Sequence, residues 1–164
     1  MLLQKLASAK PIERQRMQPL RKFLHLTSSD RRLLISTALL LGAIRLGLRL
    51  LPFKVLRRLL GKLAKARSGL QKANQFSIQR ILWAVTVASR YVPKATCLTQ
   101  ALAARVLLAR HGHPPTHLRI GVARGEEGRL EGHAWLESQG KVIVGGGEGL
   151  SRYTRLPRVE REGQ

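Results

Sequence analysis

The stretch TCLTQALAARVLLARHG, residues 96–112, carries the reading of the fold. Leu98, Leu102 and Val106 recur every four residues and make one face of a helix, and Gly112 supplies its stop. Cys97, the single cysteine of the chain, falls at the first turn of that helix. Downstream the period changes from four to two. In HLRIGVA, residues 117–123, Leu118, Ile120 and Val122 oppose His117 and Arg119. RGEEG, residues 124–128, makes a turn. In LEGHAWLE, residues 130–137, Leu130, Ala134 and Leu136 oppose Glu131, His133, Trp135 and Glu137. Gln139–Gly140 then turns tightly into KVIV. A helix followed by an antiparallel three-stranded meander is the predicted α+β core.

Working back toward the N-terminus, the pattern is helical and basic. Residues 1–26 are polar, interrupted by Pro11 and Pro19, and read as a loose basic arm. LTSSDRRLL opens a helix, with Thr27 or Ser28 as N-cap and Asp30 in the first turn, where a negative charge suits the helix dipole. The apolar run Leu33 to Ile44 is 12 residues long before Arg45. A bilayer span needs about 20 such residues, so a buried helix is expected, with a membrane-surface helix as the alternative. Pro52 breaks it. FKVLRRLLGKLAKA follows, with Phe53, Leu56, Leu60 and Leu63 on one stripe; it reads as a helix packed on the domain, or as a docking face for an acidic peptide or lipid. A third helix is expected over 76–90, turning Ile78, Leu82, Val85 and Ser89 inward and ending before Pro93.

Charge is the other strong signal. The chain of 164 residues carries a net +21, but unevenly. Residues 1–96 hold 20 of the 30 Lys and Arg against two acids, Glu13 and Asp30, a balance of +18. Such a field favours acidic peptides, anionic membrane surfaces or nucleic acid, without choosing among them. One cysteine excludes a disulfide framework and a multi-cysteine zinc site. The N-terminus has no apolar run resembling a signal peptide, so a reducing, cytoplasmic setting is expected.

A thiol is a useful nucleophile as the thiolate, which a helix N-terminus and a neighbouring imidazolium both favour. Cys97 has the first device on this reading. Among His25, His111, His113, His117 and His133, the last stands out: it lies inside a strand, between the small residues Gly132 and Ala134 and close to Trp135. A nucleophile helix packed on a sheet that carries the base is the arrangement of papain-like and transglutaminase-like enzymes. A buried cysteine that merely fills a core is the plain alternative. The backbone N–H of Cys97 is the natural oxyanion donor. HGHPPTH, residues 111–117, lies past the helix end without nearby Cys or Asp and reads as a loop, not a metal site. GGGEG, residues 145–149, lacks the Lys-Ser/Thr of a phosphate loop.

Residues 97–156, with Cys97–Leu98 opening a helix, the LRIGV strand, HAWLE and the closing RYTRL, resemble the lasso-peptide leader peptidases. These are cysteine proteases of transglutaminase-like fold, and the likeness is to the stand-alone protease half of the split maturation B protein. The leucine-rich basic run 26–61 is also similar to that family. The resemblance implies a papain/transglutaminase-like core over 94–157, preceded by a helical subdomain over 27–93 and followed by a tail, 158–164. It implies catalysis by Cys97 and His133. Trp135 reads as a wall of the substrate cleft or as core packing, and no metal or resident cofactor is expected; a need for nucleotide is left open. It implies a ribosomally made lasso precursor as substrate, often cut after a penultimate leader threonine. The partners implied are a separate winged-helix-like leader-recognition protein and an asparagine-synthetase-like cyclase. The basic half would suit docking to these or peripheral contact with the inner membrane surface; nucleic acid is not among the expected partners.

Such enzymes usually place an acid or amide on the strand after the histidine. A two-residue loop at Gln139–Gly140 instead sets Gly146 across from His133, with Gly145 or Gly147 one residue of slip away. Glu148 is the nearest acid beyond them and the candidate third member; a backbone carbonyl could also serve. Glu131 and Glu137 share the face of His133 and read as solvated or sheet-pairing residues. Two other classes remain open: a non-catalytic maturation scaffold of the same fold, suggested by the missing third residue, and a basic nucleic-acid-binding protein. Few aromatics and the lack of a base-reading motif weigh against the latter.

Overall fold

The computed structural model describes residues 26–65, 76–125, 128–147 and 149–156. The basic arm and the tail lie outside these, as does Glu148. Contacts divide the chain into two units, Met1–Leu33 and Leu34–Gln164. In the first, Thr27 acts as the N-cap: its hydroxyl accepts from the Asp30 N–H at 3.3 Å and donates to the Asp30 carboxylate at 2.8 Å. This satisfies one of the orphan amides that every helix start leaves.

Helix α1 spans Ser28–Leu50, α2 Phe53–Lys65, α3 Ile78–Ser89 and α4 Cys97–Arg110. Pro52 separates α1 from α2 as expected. The helix continues past Arg45 and Arg49, which form a polar stripe on it as expected, and by length and composition its 23 residues could cross a membrane, more than the 12-residue apolar run alone. Its Leu40, Leu41 and Ile44 are nonetheless buried in the protein core.

Helix α4 is the centre of the second unit. Thr99, Ala101 to Ala104 and Val106 to Leu108 are all buried, so α4 is covered nearly all round and not on one face alone. Its alanines allow close approach by α2, α3 and the sheet. The helix ends in a Schellman motif: the Gly112 N–H bonds the Ala109 carbonyl at 3.2 Å and the His113 N–H the Leu108 carbonyl at 3.0 Å, with Gly112 at φ 72°. Helix α3 is capped by Ser77, whose hydroxyl accepts from the Arg80 N–H at 3.3 Å. It buries Ile81, Ala84, Val85 and Ala88, a stripe rotated from the expected one and sharing Val85 with it. Ile78 and Leu82 pack at its margin.

The sheet has four strands, one more than the meander: β1 His117–Arg124, β2 Leu130–Ser138, β3 Lys141–Val144 and β4 Thr154–Arg155, in the order β3-β2-β1-β4. A 3-10 turn, Leu150–Arg152, leads into β4, which pairs antiparallel with β1. Strands alternate their side chains between two faces. Leu118, Ala134 and Leu136 join the helices in one core, in which Leu41, Ile44, Ile81 and Leu108 are almost fully buried. Each such side chain contributes about 1.5–3 kcal/mol by leaving water.

Candidate active site

Cys97 is the first residue of α4, half-buried and packed at the margin of the core. Thr96 holds the extended N-cap conformation, but its hydroxyl meets Thr99 Oγ1 at 3.2 Å and no backbone amide. The first-turn N–H groups beside Cys97 therefore lack a side-chain cap, and the partial positive charge of the helix end is not spent on one. Helix α4 packs directly on β2.

His133 sits in β2, half-buried, on the face alternate to Ala134 and Leu136. Its ring stacks on Trp135, centroids 6.1 Å apart, and lies against Tyr153 at 5.2 Å. The decisive contact is polar: Nε2 lies 2.7 Å from the carbonyl oxygen of Gly145. A carbonyl can only accept, so Nε2 carries the hydrogen and Nδ1 is left as the ring's acceptor in the neutral form.

This contact depends on how β3 ends. The two-residue hairpin at Gln139 (φ 49°) and Gly140 (φ 76°) sets the expected register at Ser138 with Lys141 and Glu137 with Val142. A bulge then pairs Leu136 with Val144. The ladder stops there, and Gly145 turns in at φ 73°. A Cβ at Gly145 would lie 2.7 Å from the Ala134 carbonyl oxygen, so glycine is needed both for the angle and for the approach. Among the described residues, the main chain of Gly145 reaches the ring; Glu148, the candidate third member, lies outside them.

Glu137 is buried and pairs across the sheet, the second of its two sequence readings, and is not solvated. It accepts from Trp135 Nε1 at 2.9 Å and Arg119 Nε at 2.8 Å, and Arg155 stands 3.5 Å away. Burial alone pushes its carboxyl up, but the Trp135 and Arg119 hydrogen bonds and the two guanidinium charges more than offset this, and it titrates below the ordinary carboxylate range. Glu131 is exposed and pairs with Arg152 at 2.8 Å. Trp135 is 1% exposed and so forms a buried wall beside the histidine. Gly121 faces it: a Cβ there would lie 2.9 Å from the indole and 3.0 Å from Tyr153 Cβ.

Tyr153 was hidden from sequence reading, since its place depends on the two-residue β4. Among the described residues, no hydrogen bond joins Cys97 to His133. The thiol packs with the helical core, whereas the imidazole lies with Trp135 and Tyr153. Beside Gly145 a cavity of about 290 Å³ opens between α3, α4 and β3, lined by Gln100, one turn beyond Cys97, and by Leu82, Ile143 and Gly146. A larger one, about 630 Å³, runs along the second half of α4 and is basic, lined by Arg57, Arg58, Lys62, Arg105 and His113. His113 also meets the Phe76 carbonyl at 2.7 Å, and His111 packs edge-on to the Phe76 ring, which ties this loop to the domain. Among the described residues no three His, Cys, Asp or Glu gather as metal ligands.

A helix bearing a cysteine at its start, packed on an antiparallel sheet bearing a histidine, defines the papain/transglutaminase-like class of α+β fold. A family profile described as the transglutaminase-like superfamily matches residues 38–158, well over half of the chain, and the chain belongs to that superfamily. The match begins inside α1, so the helices and the sheet fall within it together. No curated protein and no solved structure matches the chain.

Proposed function

We propose that this protein is a cysteine peptidase that removes the leader from a ribosomally made lasso-peptide precursor. The observation that supports it best is the His133–Gly145 contact, which holds the imidazole as a positioned base with Nδ1 unspent. Nδ1 takes the Cys97 proton and the thiolate attacks the scissile carbonyl. The Cys97 N–H donates to the developing oxyanion, and His133 returns the proton to the departing amine. Water then hydrolyses the thioester by the same path. The Gly145 carbonyl does the orienting work that a carboxylate or amide does elsewhere. In free enzymes the nucleophile–base hydrogen bond is often long and tightens when substrate binds.

A separate winged-helix-like protein delivers the leader, and an asparagine-synthetase-like cyclase closes the ring, all in the cytoplasm. The reaction needs no metal or resident cofactor. The test is reconstitution with a lasso precursor and the leader-binding partner, read by mass spectrometry. Leader release that survives Cys97→Ala would sink the proposal.

A non-catalytic maturation scaffold is the second reading, favoured by the lack of a Cys97–His133 hydrogen bond among the described residues. It requires that a Cys97→Ala strain still make mature product at the wild-type level.

A further inference from the structure

Helices α1 and α2 each bury one apolar stripe in the core and expose a second. On α1 the exposed stripe is Ile35, Leu39, Leu46 and Leu50, with Leu39 70% and Leu50 67% exposed. On α2 it is Val55, Leu59 and Leu63. The spacings of four and seven put each set on one side of its helix. The stripes meet at the corner, where exposed Leu51 joins them across Pro52, and the two helices touch at Gly47 and Leu56. Single exposed leucines need no explanation, but a run of eight through one corner does.

Beside each stripe runs a row of cations. Arg45 and Arg49 follow Leu46 and Leu50 around α1; Lys54, Arg58 and Lys62, four apart, line the edge of the α2 stripe. Residues 34–65 contain seven Lys and Arg and no Asp or Glu.

We infer that this corner is a membrane-docking face, which lies in the headgroup layer of an anionic bilayer. The leucines enter the acyl boundary and the flanking cations meet lipid phosphates. Three observations choose lipid over a protein partner. The charge is of one sign throughout, which matches a uniformly anionic surface. The exposed stripe is aliphatic, without the aromatics and methionine that mark protein interfaces. The face is also continuous through a corner, not a single groove. Helix α1 lies on the membrane and does not cross it, because Leu40, Leu41 and Ile44 hold its other side in the core.

The experiment is flotation of the full-length protein with vesicles of phosphatidylcholine alone or with about 30% phosphatidylglycerol, whose anionic headgroups give the surface a negative potential. Binding to the anionic vesicles alone, weakened by salt, is expected. Arg58→Gln/Lys62→Gln should lower partitioning about 25-fold, at about fivefold per cation. Leu39→Ser/Leu46→Ser/Leu59→Ser should abolish it with all charges kept. Circular dichroism and the melting midpoint check that both variants fold. The matched control Arg124→Gln/Arg129→Gln, in the β1–β2 hairpin, should change binding less than threefold.

No binding of wild type to anionic vesicles overturns the inference. So does equal loss in the matched control, or an unaffected leucine variant, since net charge alone would then explain adsorption. A leucine variant that turns a dimer into a monomer, while wild type ignores vesicles, assigns the face to a second copy instead.

Discussion

His133 is held by Gly145 through a side-chain-to-main-chain hydrogen bond of 2.7 Å, so the imidazole's orienting partner is a peptide carbonyl. With Nε2 spent on that carbonyl, Nδ1 is the ring nitrogen left to accept a proton.

If the pair is catalytic, Cys97 should depend on His133 for its reactivity. At pH 6.5 alkylation by iodoacetamide should fall at least ~10-fold in His133→Ala, because the imidazolium that stabilises the thiolate is gone. Leader cleavage should fall by about 10³-fold or more in Cys97→Ala and by about 10²–10⁴-fold in His133→Ala. Equal alkylation rates in the two proteins would mark Cys97 as a core residue.

Gly145→Ala places a methyl group against the Ala134 carbonyl and imposes a positive φ on an L side chain. The segment must shift, at a cost of about 1–2 kcal/mol of stability. Cleavage should drop further than the loss of folded protein explains, because the carbonyl leaves His133. Thermal melts beside single-turnover rates separate the two effects. Gly147→Ala, with open space at its Cβ position, is the control and should behave as wild type.

Tyr153 touches His133 with its ring and receives an Arg152 hydrogen bond at its hydroxyl, 3.0 Å. Tyr153→Phe keeps the ring and should retain activity within about twofold. Tyr153→Ala frees one side of the imidazole and should lower kcat about tenfold, with little change in KM. A Phe variant as impaired as Ala would show that the hydroxyl matters and that packing does not explain the role.

Glu137 joins β2 to β1 through Arg119 and to β4 through Arg155. Its folded carboxyl titrates below the ordinary value of 4.5, so the folded state prefers it charged. Its stabilisation is full above about pH 4.5 and is lost as pH falls through the lowered folded value. Glu137→Gln should therefore flatten the acid limb of the stability curve, as followed by urea denaturation at pH 3 to 7. Glu137→Ala leaves the Trp135 N–H and Arg119 without their acceptor and should cost about 3 kcal/mol near neutral pH.

Local chemistry made much of the fold legible. The N-cap at Thr27, the break at Pro52, the stop at Gly112 and the hairpin at Gln139–Gly140 are set by residues within a few positions of each other. The alternation in 117–123 and 130–137 placed His133 and Trp135 on one face, and the three glycines after Val144 narrowed the orienting group to main chain or Glu148. What escaped depends on distant partners. The bulge at Leu136–Glu137 is a tertiary adjustment with no sequence signature. Strand β4 is two residues long, too short to show a period, so Tyr153 went unplaced. Glu137 reads as either solvated or sheet-pairing because its cations come from β1 and β4, out of reach of local pattern. The α3 stripe rotated because Ala84 and Ala88, weak apolar signals, are what permit close packing against α4.

A peptide carbonyl cannot gain or lose a proton in water. An enzyme whose histidine leans on a carboxylate loses that support in acid, and its activity profile records the event. Here the Gly145 oxygen accepts at every pH at which the fold persists. If Cys97 and His133 react as proposed, this orienting contact adds no titration of its own to the acidic side of the rate profile.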